Sequence, residues 1–549
     1  KIDAIPANAD RIDFSGTAAQ ANAAFQTQLH QYSLDGKAGW ANATEIHLPQ
    51  ALASMALGVE HLNTFRPRPH AIHKQVYVAQ RAAAAPQYTV AGQSGTVNLL
   101  APSDIATIYN VTGLYNNGIT GKGQTIAIVG QTDITVHQSD IALFRSLSGL
   151  SPNLPKQVVV PSSTCPAGTT PSISAGDLQE ADIDVEWSGA IARDATILYV
   201  TVCNSNQGVF DSLVYAIQNP LANNQTQFVP VISISYGGCE IQQIPAAGVQ
   251  QLESVFEQAN AQGQTIVASS GDDGSADCDN LNSPGVPASH GLAANYPSSS
   301  QFVTAVGGTS FSGDIGDSSR YWNSSNNSAH GSALSYIPET TWNNFGQLSA
   351  SGGGASALFS KPSWQTGAGV PNDGMRDVPD VSLASDPAHD GYVLCTKETD
   401  ASNAFTTNPP TPSCGGQVPF FDSNNRAYLY GGTSIAAPQL AGMIALWNQQ
   451  AGNTGGVGNA NPIFYLIASN SPGAFHDVTT GSNAVPCQPG SRNCVSGSGG
   501  NVMSCCSAGA GYDQATGLGS VDATAMGAAW PRLIAVNAGF SMLLNPKAI

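Results

Sequence analysis

The sequence predicts an α/β fold, a mostly parallel sheet flanked by helices, preceded by a smaller α+β unit. Three observations predict it. β-Branched runs, Thr125-Ile126-Ala127-Ile128-Val129-Gly130 and Thr265-Ile266-Val267-Ala268-Ser269, read as core strands that each run into a glycine turn. Helix-like stretches at 177–190 and 436–447 are interleaved with them. Ahead of both, residues 11–62 follow an α+β order.

That N-terminal unit reads as a strand at 11–14, a helix at 17–27, two short strands about Asp35-Gly36, and a helix at 49–62, with Trp40-Ala41-Asn42 ahead of the last helix. Residues 63–97 read as a linker carrying Arg66, Arg68, His70, His73, Lys74 and Arg81, much of the chain's scarce positive charge. Against an acidic body such a segment would act as a strap that loosens as carboxylates protonate. A merely exposed linker fits the composition equally well.

The stretch Gly431-Gly432-Thr433-Ser434-Ile435-Ala436-Ala437-Pro438 is a tight turn running into an apolar helix. It makes Ser434 a candidate nucleophile, its amide at a helix N-terminus suited to developing negative charge. In a chain with 58 glycines the same residues also fit a plain turn. No Gly-His-Gly-Thr-His segment occurs, and the strand ending at Gly130 continues into Gln131 and Thr132, without the aspartate that a Ser-His-Asp arrangement needs. In its place is the carboxyl-dense run Asp177, Glu180, Asp182, Asp184 and Glu186.

Glu180 and Asp184 are four apart and share a helix face, so one can serve as base and the other as its orienter. Two carboxyls so held share a proton and titrate as a pair in the acid range, where a histidine base is already protonated. The alternative is an acidic, solvated helix face, since Asp182 and Glu186 put acid on other faces too. A third element, Ser269-Ser270-Gly271-Asp272, ends a core strand with a carboxyl that donates a hydrogen bond to an oxyanion only while protonated.

Together these segments resemble the sedolisin (serine-carboxyl peptidase) family, in its kumamolisin-like form, related in fold to subtilisin. The family pattern is a Glu and an Asp four apart, an Asp in Ser-Ser-Gly-Asp, and a Ser in Gly-Thr-Ser-x-x-x-Pro. All four positions match, in order, within about residues 98 to 522. The resemblance implies a subtilisin-like sheet with Ser434 as nucleophile, Glu180 as general base and acid, Asp184 as the carboxyl that orients it, and Asp272 as oxyanion donor. Ser233-Ile234-Ser235-Tyr236-Gly237 resembles the family's edge strand for an extended peptide, which implies substrate contacts at Ser235 and Gly237. An ordinary buried strand is the other reading of that segment.

The N-terminal unit resembles the second half of the family's propeptide. The implied organisation is 1–62 as the C-terminal half of a ferredoxin-like propeptide, 63–97 as linker, and 98–549 as the peptidase domain, with the propeptide as an intramolecular inhibitor. Because the chain opens with Lys1, a signal peptide and the first half of the propeptide are expected to precede it in the unprocessed protein.

Asp477-Val478-Thr479-Thr480-Gly481 and the segment 509–517 offer oxygen donors of the kind a hard cation takes, although plain loop turns fit them as well. Both segments resemble those of the family's calcium site. That implies Ca2+ held by the Asp477 and Asp513 side chains and by backbone oxygens of Val478, Gly509 and Gly511, with a Ser-, Gly- and Cys-rich insertion at 484–508 between the two halves.

Composition narrows the setting. Asp and Glu outnumber Lys and Arg by 37 to 19, a net charge of −18, which disfavours nucleic acid as a partner. Ten cysteines suit an oxidising compartment and up to five disulfides, whose pairing cannot be read from spacing. Cys487, Cys494, Cys505 and Cys506, in the insertion, read as a local staple rather than a zinc site. No apolar run approaches the roughly 20 residues that span a membrane, and the apolar tail at 533–544 is expected to pack on the body. The expectation is a secreted, acid-active, monomeric serine-carboxyl endopeptidase acting on proteins or peptides. A tripeptidyl aminopeptidase of the same family, and an inactive homologue that keeps the fold as a binding protein, are the alternatives.

Overall fold

The computed structural model describes residues 1–530 outside 5–11, 78–88, 204–207, 220–227, 242–245, 280–285, 345–348, 397–412 and interruptions of two or three residues. The tail at 533–544 and the linker residues Arg66, His70 and Arg81 lie outside the described residues.

An eight-stranded sheet organises the chain from residue 125 onward. Its strands are β1 (Thr125–Gly130), β2 (Lys156–Val159), β3 (Thr196–Thr201), β4 (Val231–Ile234), β5 (Thr265–Ser269), β6 (Val303–Phe311), β7 (Glu339–Thr341) and β8 (Val381–Ala384). The spatial order is β2-β3-β1-β4-β5-β6, with β8 parallel and β7 antiparallel to successive parts of β6. Every other pairing is parallel. β1, β4, β5, β6 and β8 are buried along their whole length, as expected for parallel strands covered on both faces, which is why β1 and β5 read as nearly continuous apolar runs.

The two faces are packed by different helices. Ile126 and Ile128 point into the core that holds α1 (Ala175–Ile191) and α4 (Thr433–Ala451). Their neighbours Ala127 and Val129 point the other way, toward α2 (Val209–Gln218) and α3 (Ala246–Ala261). The period-two alternation along one strand thus separates the acidic helix and the Ser434 helix from the other pair.

The N-terminal unit holds a short ribbon (Ile2–Ala4 with Asp13–Phe14), the helix Ala18–Phe25, and a hairpin of Leu29–Leu34 with Lys37–Asn42. A capping box between Thr17 and Gln20 starts the helix. Trp40-Ala41-Asn42 belongs to the second hairpin strand, and the following helix is described only over Gln50–Ala53. After it the chain runs onto the body. Arg68–Pro69 pairs antiparallel with Tyr236–Cys239, and Ile72–Tyr77 pairs antiparallel with Arg426–Gly431, the strand that leads into α4.

Five disulfides are present among the described residues: Cys165–Cys203, Cys239–Cys278, Cys395–Cys414, Cys487–Cys494 and Cys505–Cys506. The four insertion cysteines pair within the insertion, as a local staple requires.

Candidate active site

Gly432 takes φ 100°, open to glycine, and turns the chain from strand Arg426–Gly431 into α4 one residue before Thr433. Ser434 therefore sits in the first helical turn, where backbone N–H groups have no carbonyl four residues earlier to bond. Pro438, four residues on, has no N–H to give the Ser434 carbonyl. A hydroxyl stands there instead. Ser235 Oγ lies 3.4 Å from the Ser434 carbonyl oxygen and donates to Asp184 Oδ1 at 2.6 Å, while Ser434 Oγ lies 3.4 Å from the Ser235 carbonyl oxygen. Ser434 and Ser235 are fully buried beneath the residues described.

The carboxyls come from α1. Glu180, Asp182, Asp184 and Glu186 are all at most 1% exposed, so the solvated-face reading of this helix is overturned. Each face finds partners far away in sequence. Asp184 accepts from Ser235, Asp182 contacts His137 Nδ1 at 2.7 Å, and Glu186 accepts the Cys395 N–H. Burial pushes the Asp184 carboxyl well above the usual carboxylate range, and the Ser235 hydroxyl offsets part of that rise. The Tyr236 phenol, raised by burial and by Asp177, Tyr199, Glu180 and Asp184, stays neutral beside them. Its oxygen donates to Asp177, which also accepts from Gln131.

Asp272 reaches the same place from the end of β5. Gly271 has φ 105°, and a Cβ there would overlap Asp277 Oδ1. Asp272 Oδ1 accepts both the backbone N–H and the hydroxyl of Thr433, each at 2.8 Å. This ties the end of β5 to the first residue of α4, next to Ser434. Asp272 Oδ2 is buried without a hydrogen-bond partner among the described residues. Burial raises this carboxyl well above its usual range, and the Thr433 donors and Asp273 are the lesser influences.

The segment 233–237 is divided rather than continuous. Ser233 belongs to the central strand β4, Ser235 turns its hydroxyl inward to Asp184, and Gly237 lies in the separate strand Tyr236–Cys239. That strand pairs with Asn295–Tyr296 on one side and with Arg68–Pro69 on the other, Gly237 standing opposite Arg68. The Cys239–Cys278 bridge fastens it to the loop that follows Asp272.

The two C-terminal segments also meet. Strand Phe475–His476 pairs with Ser520–Val521, and Ser482 bridges to Ser507, so the insertion closes on itself and does not hold the halves apart. The Gly511 N–H donates to Asp477 at 2.8 Å, and the Gly509 N–H to Asp513 at 3.0 Å. Asp513 also accepts from the N–H groups of Ala515 and Thr516, and the Thr516 hydroxyl lies 3.4 Å from the Val478 carbonyl oxygen. Two carboxylates on cross-tied loops are oxygen donors of the kind that a hard divalent cation takes.

Comparison with known proteins agrees with this architecture. Residues 1–65 match the activation domain of pro-kumamolisin, and residues 167–366 match the subtilase family. Kumamolisin of Bacillus sp. (strain MN-32) is 28% identical over 515 residues, 92% of this chain and 76% of that protein. Sedolisin of Pseudomonas sp. (strain 101) is 29% identical over 527 residues, 93% and 73% of the two chains. The solved structure of Pseudomonas sedolisin, a serine-carboxyl proteinase complexed with two molecules of pseudo-iodotyrostatin, superposes with a TM-score of 0.56 at 26% identity, over 79% of this chain and 98% of that one. The chain is a homologue of kumamolisin and sedolisin. It is a serine-type hydrolase of the serine-carboxyl peptidase kind, with a subtilase-like sheet and an N-terminal propeptide domain. Tripeptidyl-peptidase 1 of Dictyostelium discoideum is a more distant relative, 27% identical over 76% of this chain and 56% of that protein.

Sequence reasoning gave Ser235 a substrate contact and did not find its bond to Asp184 or the bonds of Thr433 to Asp272. The spacing of Ser434 and Pro438 carried a signal for Ser235, because a proline at that position frees the serine carbonyl for another donor.

Proposed function

We propose that this chain is a secreted, acid-active endopeptidase of the sedolisin family that cleaves peptide bonds through an acyl-enzyme formed on Ser434. The observation that carries the reading is the Asp272 carboxyl, with one oxygen pinned by Thr433 and the other buried beside the Ser434 turn without a partner among the described residues. A carboxyl in that position is useful as a donor only when protonated, which sets the chemistry in acid.

Ser434 Oγ attacks the substrate carbonyl carbon while Glu180 takes its proton, and Asp184 orients Glu180. The tetrahedral oxyanion is held by the protonated Asp272 and the Ser434 N–H. Glu180 then passes its proton to the leaving amine, the C–N bond breaks, and the acyl-enzyme remains. Water attacks that ester with Glu180 again as base, releasing the acid and restoring Ser434. Strand Tyr236–Cys239 takes the extended substrate by β-augmentation, with Gly237 at the point of closest approach. In this chain the same strand carries Arg68–Pro69, which supports the N-terminal segment as an intramolecular inhibitor. Calcium would be held by Asp477, Asp513 and the backbone oxygens of Val478, Gly509 and Gly511, where it stabilises the loops. Five disulfides support an exported protein.

The test is digestion of a peptide library across pH, half of it acetylated at the N-terminus. The expected result is internal cleavage of both halves in acid, abolished by Ser434→Ala without loss of folding. Cleavage confined to free N-termini, three residues in, would identify a tripeptidyl aminopeptidase. A Ser434→Ala protein that cuts like the parent would remove the nucleophile assignment.

A further inference from the structure

Away from Ser434 and from the calcium loops, three side chains converge where the loop after β6 meets the start of strand Asp390–Tyr392. Asp314 Oδ1 lies 3.0 Å from His389 Nε2, and Asp390 Oδ2 lies 3.5 Å from the same nitrogen. One ligand atom from each of the three residues falls within 4.8 Å of the other two. In a tetrahedral site with bonds of about 2.0–2.2 Å, neighbouring ligand atoms sit roughly 3.3–3.5 Å apart. The two distances to Nε2 bracket that separation.

The carboxylates are oriented from behind. Asp314 Oδ2 accepts the Trp322 indole N–H at 2.8 Å, and Asp390 Oδ1 accepts the Asn98 N–H at 3.1 Å. Each carboxyl thus has one oxygen fixed by a donor and the other turned toward His389, the arrangement in which outer partners hold metal ligands. The Asp390 side chain is 1% exposed, and its Oδ2 makes no hydrogen bond among the described residues. Asp386, whose oxygens accept from Ser310 Oγ and the Ala388 N–H, adds a third carboxyl nearby. The His389 side chain is 26% exposed, which leaves an entry path from solvent.

We propose that Asp314, His389 and Asp390 form a binding site for a divalent first-row transition ion, with zinc as the ion that its tetrahedral ligand spacing suits. The imidazole nitrogen separates it from the all-oxygen calcium loops, since calcium and magnesium prefer oxygen donors whereas zinc accepts nitrogen and carboxylate together. The ion ties the loop after β6 to strand Asp390–Tyr392, which pairs with the strand Arg426–Gly431 that leads into the Ser434 turn. Its place in the fold makes it a structural clasp, with one coordination position left for water.

The test uses the full chain carrying Ser434→Ala, stripped of metal and titrated with Zn2+ at neutral pH by calorimetry, and with Co2+ by visible absorption. One zinc equivalent should bind that is lost in both His389→Gln and Asp390→Asn and kept in Asp513→Ala. Trp322→Phe, which removes only the donor behind Asp314, should weaken binding about 10- to 100-fold. The cobalt bands should vanish with His389→Gln. Should His389→Gln fail to fold by circular dichroism, the near-isosteric Asp390→Asn and Trp322→Phe decide. A parent chain that binds no zinc, or zinc stoichiometry and affinity unchanged in Asp390→Asn and Trp322→Phe, would overturn the site and leave the three residues as an ion-paired latch.

Discussion

Ser235 separates two roles that a substrate contact and a positioning group would otherwise share. Its hydroxyl donates to the buried Asp184 carboxyl at 2.6 Å, so its loss leaves a buried acceptor without its donor, a cost of about 1–3 kcal/mol. If that donor sets the Asp184–Glu180 pair, Ser235→Ala lowers kcat by about ten- to a hundredfold and leaves KM within about twofold. A rise in KM at constant kcat would mark Ser235 as a substrate contact instead. Stopped assays over a range of peptide concentrations distinguish the two. The residue types themselves were legible, since a Ser after a glycine turn, two carboxyls four apart and an Asp at a strand end each have a chemical reason. Their partners were not, because Asp184 finds Ser235 51 positions away and Asp272 finds Thr433 161 positions away.

Among the elements, the central strands were the most readable. β1 and β5 are apolar and β-branched almost throughout because helices cover both their faces, and a half-solvated strand would alternate polar with apolar residues instead. The acidic helix was harder. Its four carboxyls look solvated in isolation, and partners brought in by tertiary structure, among them His137, Ser235 and the Cys395 N–H, make their burial possible. The segment 233–237 was read as one strand, whereas Ser235 breaks it to turn inward. Strand Tyr236–Cys239 now carries a specific expectation. A Cβ at Gly237 would overlap Asn295 Oδ1 and come within 2.6 Å of the Tyr296 carbonyl oxygen, so Gly237→Ala must push the strand off its partner. Catalytic efficiency should fall at least tenfold while the melting temperature changes by only a few degrees. Unaltered kcat/KM would show that this strand does not carry the substrate.

At the scale of the whole molecule, the C-terminal loops close because Phe475–His476 pairs with Ser520–Val521 across the insertion. A long insertion is tolerated when its own ends are bridged, as Ser482 and Ser507 do here. That is why 25 intervening residues, invisible to any local rule, leave Asp477 and Asp513 on neighbouring loops. A cation bound only by the folded chain would add roughly 2.7 kcal/mol at a free concentration about a hundred times its dissociation constant. Chelation should therefore lower the melting temperature of the Ser434→Ala chain, and Asp513→Ala should reproduce that loss and abolish the response to added calcium. Coincident melts with and without chelator would withdraw the calcium assignment while leaving the catalytic reading in place.

Whether a protonated Asp272 donates to the oxyanion is decided by the pH profile of kcat/KM for Asp272→Asn against the parent. Burial raises the Asp272 carboxyl above its ordinary value, so the donor is present in acid and is lost as pH rises through that raised value. An asparagine amide donates at every pH. The expected variant has reduced but measurable activity, and its neutral-side decline is displaced to higher pH. A variant profile that is merely scaled down, falling at the same pH as the parent, would show that Asp272 is not the oxyanion donor.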